Sequence, residues 1–452
     1  MLRGERRGRG LKGEMNFARN AAGLLLTSAV GIPISFATSV VLARFLSVED
    51  RGIYSLLTTF ALVAVILGQM GWPTASIYRL RRVGSPAQRV ATTGVVAVVV
   101  ISTMIVLSCW QLRPLLSERF LNDAPARLFH LAVAAIPLQL LSLFFGSLAR
   151  GTDRFVIQNA YKVLLDIGTL AIVCWALIVR DGALLELMVA SLAIQAVCCS
   201  GYALAVLRHT GLSFGFDWRE TRESMAFGLK SYLQALAGQI HERIDVFMIA
   251  YLLRDPEQVA FYAIAVGIVQ RIMIVPTSIG SAAYPQLAGL GRAAGAEFAA
   301  RINRQSLLSV LAAALVLALI VPWAVPLVFG EPYRASVMPL EVLLPGVAMF
   351  SIYKTLSRYF TAIDRQQANI STQIVSVIVN VLLNLWWIPL FGIMGAALAS
   401  LASYALEAVL ISIVFSRSTG VRLRTFLVVR REDFVQLRTH GTSFLRRVRT
   451  RD

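Results

Sequence analysis

The amino-acid sequence predicts an all-α protein that crosses a membrane about twelve times. Of its 452 residues, 57% are hydrophobic and 15% are charged, whereas soluble domains carry about 25% charged residues. Apolar stretches fill the chain between its basic ends. Each is close in length to the roughly 20 residues that a helix needs to cross a bilayer. The backbone must satisfy its own hydrogen bonds in hydrocarbon, so each stretch is predicted to be a helix. None alternates apolar and polar residues as the strands of a membrane barrel do.

Twelve spans account for this pattern. They are predicted at 17–43, 53–78, 90–110, 128–148, 156–179, 183–207, 227–253, 258–284, 306–329, 336–360, 369–390 and 392–416. The first apolar run is too long for a signal peptide, and eleven further spans follow it. Pro137 interrupts the fourth span, and only residues 391–395 separate the last two. Counts of eleven or thirteen spans therefore stay open as alternatives.

Basic residues predict how these spans are oriented. Most of the 43 Lys and Arg residues fall in segments on the same side of the membrane as the N-terminus. Cytoplasmic loops are rich in Lys and Arg, so both termini are predicted in the cytoplasm. The net charge of +18 is scattered over loops that flank spans, which argues against a nucleic-acid partner. Two alternatives stay open for the basic tail 417–452: it lies along anionic headgroups, or it is disordered and solvated.

A weak internal repeat divides the chain into two halves. Residues 42–46 align with 249–253, 52–54 with 260–262, and Asp153-Arg154 with Asp364-Arg365. Two halves of six spans enter the membrane in the same orientation, which predicts two six-helix lobes around a central cavity. The predicted organisation is a basic tail (1–16), an N-terminal lobe (17–207), a cytoplasmic linker (208–226), a C-terminal lobe (227–416) and a second basic tail (417–452).

Polar residues inside the spans mark the candidate site, because a charge at the bilayer centre costs about 2.5–3.5 kcal/mol. In the seventh span, Gln234, His241 and Asp245 share one helical face, with Glu242 beside it and Arg243 roughly opposite. Further candidates are Lys162 and Asp166 in the fifth span, Arg271 in the eighth, Lys354 in the tenth, Gln373, Asn380 and Asn384 in the eleventh, and a stripe of Ser400, Ser403, Tyr404 and Glu407 in the twelfth. Polar faces on six helices predict a shared hydrated cavity.

Structural roles compete with functional ones at these positions. Lys162 and Asp166 lie one helical turn apart and could satisfy each other. Arg243 could pair with an acid on a neighbouring helix and hold the bundle together. The Ser and Asn stripes are also what interhelical hydrogen bonds require. Arg271 and the segment 241–245 are too central to reach the membrane surface, which favours a place in the cavity.

No cofactor, metal site or enzymatic motif is predicted. The four cysteines, Cys109, Cys174, Cys198 and Cys199, fall within spans and lack metal-ligand spacing. The sequence contains no nucleotide-binding loop and no nucleophile elbow. A membrane glycan polymerase or ligase would carry a long external loop with catalytic residues, but the longest external segment here, 111–127, lacks His and leaves no room for a domain. The protein is therefore predicted not to be an enzyme.

The stretch from Asn20 to Arg79 resembles the opening of bacterial polysaccharide flippases of the Wzx type. The matching pattern is Asn20 before the first span, Leu42-Ala43-Arg44-Phe45-Leu46, Glu49-Asp50, Gly52-Ile53-Tyr54 and Gly71. A second match runs from Ile244-Asp245 to Tyr262 and looks like the family's acid in the seventh helix followed by a Tyr. Two positions depart from the pattern: Ala260 replaces the usual Gly, and Val246 rather than Arg follows Asp245.

Such flippases belong to the multidrug, oligosaccharidyl-lipid and polysaccharide exporter superfamily, whose members have two six-helix lobes facing a central cavity. The resemblance implies that the protein flips a polyprenyl-pyrophosphate-linked oligosaccharide to the outer leaflet. Its implied partners are this lipid-linked oligosaccharide, membrane lipids, H⁺ or Na⁺ as a coupling ion, and glycan polymerase machinery. The alternative function is that of a cation-coupled drug antiporter of the same fold, which would favour a less basic cavity.

The residue types suit three roles in such a transporter. Pyrophosphate needs cationic partners, for which the candidates are Arg243, Arg271, Lys162 and Lys354. Sugars need hydrogen-bonding side chains, which Gln234, Gln373, Asn380 and Asn384 offer. Ion coupling needs a titratable group, for which the candidates are Asp245, Glu242, Asp166 and His241.

Overall fold

The structure is a computed structural model that describes residues 27, 29–121, 124–213, 222–223, 228–229, 232, 236–430 and 432–433. The α-helices are α1 (Ala29–Phe45), α2 (Val48–Gly68), α3 (Trp72–Tyr78), α4 (Ala87–Gln111), α5 (Arg113–Phe120), α6 (Ala126–Gly151), α7 (Phe155–Cys174), α8 (Leu184–Thr210), α9 (236–241), α10 (Ile244–Leu253), α11 (Pro256–Ile272), α12 (Ile274–Gly289), α13 (Arg292–Phe329), α14 (Val337–Ala362), α15 (Gln366–Phe391), α16 (Ile393–Thr419) and α17 (Leu423–Leu427). Short π-helices follow α3 (Arg79–Val83) and α7 (Trp175–Val179), and a 3₁₀-helix (Glu331–Ser336) precedes α14.

The described residues form helices and no strands, as predicted. Ten helical segments among them are long and apolar enough to cross a membrane. The shorter apolar helices α1 and α10 lie at the first and seventh predicted spans, where part of each span is outside the described residues. Together these segments follow the twelve predicted spans in number and order.

Large apolar side chains on the outside of the helices fit a lipid environment. In α4, Val99, Met104 and Leu107 are exposed, and in α13, Leu315, Leu319 and Trp323 are more than 60% exposed. A water-soluble surface rarely presents such continuous apolar faces. The protein is therefore a multi-pass membrane protein.

The chain divides into two compact units, Met1–Gln239 and Ile240–Asp452. This division falls later than the predicted linker 208–226, most of which lies outside the described residues. The predicted limits of the lobes, linker and tails stay predictions.

Equivalent helices form the centre of each unit. In the first unit, α6 contacts α2, α3, α4, α7 and α8, which correspond to the second, third, fifth and sixth predicted spans. In the second unit, α14 contacts α11 to α13, α15 and α16, which correspond to the eighth, ninth, eleventh and twelfth. The fourth span of each half thus has the same set of partners, as a duplication requires.

The fully buried side chains of Ile136, Leu140 and Phe144 form an apolar stripe on α6, because residues four apart share a helix face. Gly94 on α4 lies so close to this stripe that a Cβ there would meet the Phe144 ring. Close approach of the two helices therefore depends on a residue without a side chain.

A repeated turn supports the duplication at the level of the backbone. Asp153 and Asp364, which align in the sequence, adopt positive φ angles of 61° and 58°. The backbone N–H of the following residue, Arg154 or Arg365, donates to a carbonyl five residues earlier, at 2.7 and 2.8 Å. Aspartate is among the few residues that tolerate this left-handed conformation, and it ends the fourth span in each half.

Three predicted spans are broken rather than continuous. Residues 69–71 separate α2 from α3, Met273 separates α11 from α12, and residues 242–243 separate α9 from α10. Pro73 and Pro276 explain the first two breaks, because a proline ring clashes with the carbonyl four residues earlier and the preceding helix ends there. The ninth span differs in the opposite way: α13 starts at Arg292, well before the predicted residue 306.

We predict that Gly71→Ala destabilises the first unit more than Gly84→Ala does. Both glycines have positive φ, 80° and 72°, so both alanines cost about 1–2 kcal/mol. A Cβ at Gly71 would also lie 2.4 Å from the backbone of Gly228, whereas Gly84 has nothing within 4 Å. The extra loss should be about 1–3 kcal/mol, measured by thermal unfolding in detergent. Equal melting temperatures for the two variants would contradict this packing.

Candidate functional site

The break between α9 and α10 brings four polar residues together in the second unit. His241 is the last residue of α9, Glu242 and Arg243 form the turn, and Asp245 lies in the first turn of α10. Free backbone N–H groups and the helix dipole make a helix N-terminus a favourable place for a carboxylate. The sequence thus creates an anion site within an otherwise apolar segment.

The Asp245 carboxylate is buried and accepts three hydrogen bonds. Tyr262 Oη donates at 2.9 Å, Asn384 Nδ2 at 2.7 Å and Ser400 Oγ at 2.5 Å. These four residues, the Asp245 cluster, come from α10, α11, α15 and α16 and are each at most 5% exposed. Three donors replace the water that the carboxylate would have outside the membrane.

Helix α15 supplies this cluster because its buried face is polar. Its buried residues are Asn369, Thr372, Gln373, Ser376, Asn380, Asn384 and Ile388. Exposed apolar residues such as Ile378, Leu382 and Leu385 cover the opposite face. A helix in a soluble protein has the reverse pattern, with apolar residues buried and polar residues exposed. The buried polar face of α15 directs its amides towards α10 and α16.

Hydrogen bonds continue from the Asp245 cluster to a second buried pair. Asn384 Nδ2 donates to Asn380 Oδ1 at 3.0 Å, and Asn380 Nδ2 donates to Ser403 Oγ at 3.2 Å. Ser403 Oγ lies 3.3 Å from His241 Nε2, and His241 Nδ1 lies 3.3 Å from Glu407 Oε2. One polar path therefore connects Asp245 with His241 and Glu407.

The His241–Glu407 pair is fully buried, yet its contact lacks hydrogen-bond geometry. Within the described part of the chain, neither carboxylate oxygen of Glu407 has a hydrogen-bond partner, and Asn384 Oδ1 has none either. A buried carboxylate in this setting requires a bound proton or a neighbouring cation, because an unpaired charge in hydrocarbon is costly. This pair is therefore a candidate functional position within the network.

Two predicted cations of the second unit, Lys354 and Arg243, lie at the turn that holds Glu242, and the third, Arg271, lies on α11. Lys354 donates to Glu242 at 2.7 Å and lies 4.8 Å from the centre of the Phe350 ring. Arg271, in the last turn of α11, donates to the Gly267 carbonyl at 2.6 Å. Arg243 lies half-buried in the turn before α10.

The first unit contains a separate candidate region. Lys162 and Asp166 form an ion pair at 3.2 Å within α7, as one of the structural alternatives expected. Lys162 is 55% exposed, and a Cβ at Gly31 would lie 2.8 Å from Asp166 Oδ2. These two charges therefore lie against α1.

A cavity of about 190 Å³ lies within this unit. Its polar lining side chains are uncharged: Tyr54, Thr58, Gln139, Thr169, Ser191 and Gln195. Thr169 follows Lys162 and Asp166 along the same face of α7. A neutral, hydrogen-bonding cavity thus adjoins the helix face that carries the ion pair.

The structure brings together part of the predicted site. His241, Asp245, Asn380 and Asn384 share one network, and Gln373 lies buried on the same face of α15. Lys162 and Asp166 belong to the other unit, and Gln234 lies outside the described residues. Sequence reasoning did not assign roles to Ser400, Glu407 and Tyr262, or to the neutral cavity. The polar stripe in the twelfth span was the available signal for Ser400 and Glu407.

A family model described as "Polysaccharide biosynthesis protein" matches residues 17–290, more than half of the chain. The chain belongs to this family. The match runs through the first unit and reaches the Asp245–Tyr262 contact in the second. The predicted resemblance to the polysaccharide flippases is thereby confirmed.

Two relatives of this chain carry transport names. One, from Haloferax volcanii, is named "Probable low-salt glycan biosynthesis flippase Agl15"; it is 21% identical over 88% of this chain and 83% of its own. The other, from Shigella flexneri, is named "Putative O-antigen transporter"; it is 22% identical over 65% of this chain and 70% of its own.

Solved structures confirm the predicted fold class. The lipid II flippase MurJ in an inward closed conformation has a TM-score of 0.72 at 11% identity, covering 94% of this chain and 93% of its own. An inward-facing multidrug resistance transporter of the MATE family and MOP superfamily has a TM-score of 0.69 at 15% identity, covering 86% and 94%. The chain thus has the all-α, polytopic fold of these transporters.

We predict that Ser400→Ala destabilises the second unit because Asp245 loses a buried donor. The loss should be about 1–3 kcal/mol, the cost of an unsatisfied buried group. Ser412→Ala is the matched control, since Ser412 is equally buried on α16 but outside the Asp245 cluster. Denaturant titrations in mixed micelles measure both variants. Equal losses would show that the cluster does not depend on this hydrogen bond.

Proposed function

We propose that the protein flips a polyprenyl-pyrophosphate-linked oligosaccharide across the cytoplasmic membrane by ion-coupled alternating access, for surface polysaccharide biosynthesis. The family match and the names of the two relatives support a glycan as the cargo. The observation that carries the proposal is the pair of half-buried cations Arg243 and Lys354 at the turn that leads into a buried acidic network, with Arg271 half-buried on α11.

The cations suit the pyrophosphate because guanidinium and ammonium groups bind phosphate oxygens strongly where water is scarce. Arg243 is the leading candidate because it lies in a turn rather than within a helix. Lys354 is held by Glu242 and can exchange that carboxylate for a phosphate oxygen. Lys162, which is paired with Asp166, offers the same exchange in the first unit.

Sugar hydroxyls need neutral donors and acceptors, and the cavity of the first unit offers them. Gln139, Gln195 and Thr169 line it, and Ser191 Oγ is buried there with no hydrogen-bond partner among the described residues. We assign the sugar contacts to this cavity. Asn380 and Asn384, which were predicted for sugars, are fully buried and are assigned to ion coupling instead.

Asp245 is the proposed coupling residue, with His241 and Glu407 as secondary acceptors. It is a buried acid on α10 whose three hydrogen-bond donors come from three other helices, so a change in its charge alters contacts among all four. The coupling ion is H⁺ or Na⁺, since a carboxylate or an imidazole takes up a proton, and carboxylate and amide oxygens can coordinate Na⁺.

The proposed location is the bacterial inner membrane, with both termini in the cytoplasm. The distribution of Lys and Arg over the loops supports this orientation. Glycan polymerase machinery is the proposed downstream partner, because a flipped oligosaccharide must be assembled outside the cell.

We expect Arg243→Ala to lower surface glycan at least tenfold, about the effect of losing one buried charge contact to phosphate. Lipid-linked precursor should accumulate in the membrane, and Arg243→Lys should restore part of the export. Arg334→Ala is the control, because Arg334 is 65% exposed and pairs with Glu331. Glycan and protein are quantified in the same membranes. Loss of the protein itself would support a structural role for Arg243 instead.

Asp245→Asn should stop export without unfolding the protein, because the amide keeps the shape of the carboxyl but not its charge. Asp364→Asn is the control, since Asp364 is exposed and Asn tolerates its positive φ. Transport is followed in proteoliposomes under an imposed proton or sodium gradient, which also identifies the ion. Full gradient-driven transport by Asp245→Asn would remove Asp245 from the mechanism.

A further inference from the structure

The chain beyond α16 turns back and docks on the start of α13. Phe426 is fully buried, its ring centre 5.1 Å from that of Phe415, and its carbonyl accepts from Asn303 Nδ2 at 3.0 Å. Arg304 Nη1 donates to the Thr425 carbonyl at 2.6 Å. Residues 292–305 of α13, which precede the predicted ninth span, thus serve as the platform for the C-terminal segment.

A buried ion pair closes this contact. Arg304 donates through Nε and Nη2 to the two oxygens of Asp433, at 2.8 and 3.1 Å. Burial opposes ionisation of Asp433, but hydrogen bonds from Arg304 and from the Arg430 backbone hold the pKa of this carboxyl below its ordinary value. The contact is therefore complete above the ordinary carboxyl pKa and weakens as pH falls through the lowered one.

Docking of the segment forms a basic pocket of about 830 Å³. Arg301, Arg304, Arg422 and Arg430 line it, against the single acid Glu297. Arg304 is committed to Asp433, but Arg301, Arg422 and Arg430 are exposed. Among the described residues, Arg301 and Arg422 form no ion pair. The pocket therefore presents more positive charge than its own walls neutralise.

We propose that this basic pocket binds the phosphate of an anionic phospholipid headgroup. Guanidinium groups converging from two chain segments suit phosphate oxygens, which accept paired hydrogen bonds. The sequence leaves the tail 417–452 either along anionic headgroups or in solution, and residues 434–452 lie outside the described residues. Of the described tail residues, Gly420, Val421, Arg422, Thr425 and Arg430 line this pocket. The headgroup would link α13 to the C-terminal segment from outside the protein.

Three features favour a lipid over a free phosphate. The pocket lies where α13 enters its apolar span and α16 leaves its own, which is the level of headgroups. Leu423 and Val428, on the same segment, are 43% and 55% exposed and can contact acyl chains. The volume also exceeds that of a phosphate ion and leaves room for a glycerol headgroup.

The test is binding of fluorescent phosphatidylglycerol to the full-length protein in neutral detergent micelles. Arg422→Gln/Arg430→Gln should weaken binding roughly twenty-five-fold, about fivefold for each arginine near an anionic headgroup. Arg417→Gln/Arg424→Gln is the matched control: it removes the same charge from the same stretch of chain, outside the pocket. Its affinity should change by less than about twofold.

Any of three other outcomes would overturn the proposal. Equal weakening by both double variants would indicate diffuse attraction rather than a site. Displacement of the lipid by millimolar inorganic phosphate would assign the pocket to a soluble anion, and equal binding of phosphatidylcholine would exclude headgroup charge. Thermal unfolding of each variant shows that the segment is still folded. The assay contains no glycan, so its result is independent of flipping.

Discussion

A polar group inside a bilayer must find its partner within the protein, and this constraint organises the second unit. Helix α15 has amides on its buried face and apolar side chains on its exposed face. Its position is therefore set by hydrogen bonds to α10 and α16 rather than by an apolar stripe. The same network holds Asp245 and His241, so the residues proposed for coupling are also those that keep these helices together.

The two halves share a scaffold but differ in chemistry. Tyr54 and Tyr262 align, and so do Thr38 and Asp245. Tyr262 donates to Asp245, whereas Thr38 Oγ1 donates to the Ile34 carbonyl of its own helix and Tyr54 lines the neutral cavity. Of these two aligned positions, only the one in the second half, Asp245, carries an acid. This asymmetry is what the proposed division into a coupling unit and a sugar-contacting unit rests on.

The sequence was sufficient for much of the fold. Apolar length located the spans, and the Asp153 and Asp364 repeat identified a turn that the backbone reproduces. Helical period also placed Asn380 and Asn384 on one face. Helical periodicity could not identify the contact partners of these side chains. It gives the direction of a side chain on its own helix, but not which residue of a neighbouring helix lies opposite. The Lys354–Glu242 and Arg304–Asp433 pairs, separated by more than a hundred residues, therefore emerged only in three dimensions. The break at 242–243 contains no proline and has no comparable signal.

The polar face of α15 has a consequence for biogenesis. Taken alone, this helix would present several amides to lipid as it leaves the translocon, which would disfavour its insertion. A single residue, Gly392, joins it to α16, where the Ser403 hydroxyl accepts from Asn380 and the Ser403 carbonyl accepts from Ser376. The two helices can therefore partition into the bilayer as a preformed hairpin, with the hydrophilic seam closed before acyl chains reach it.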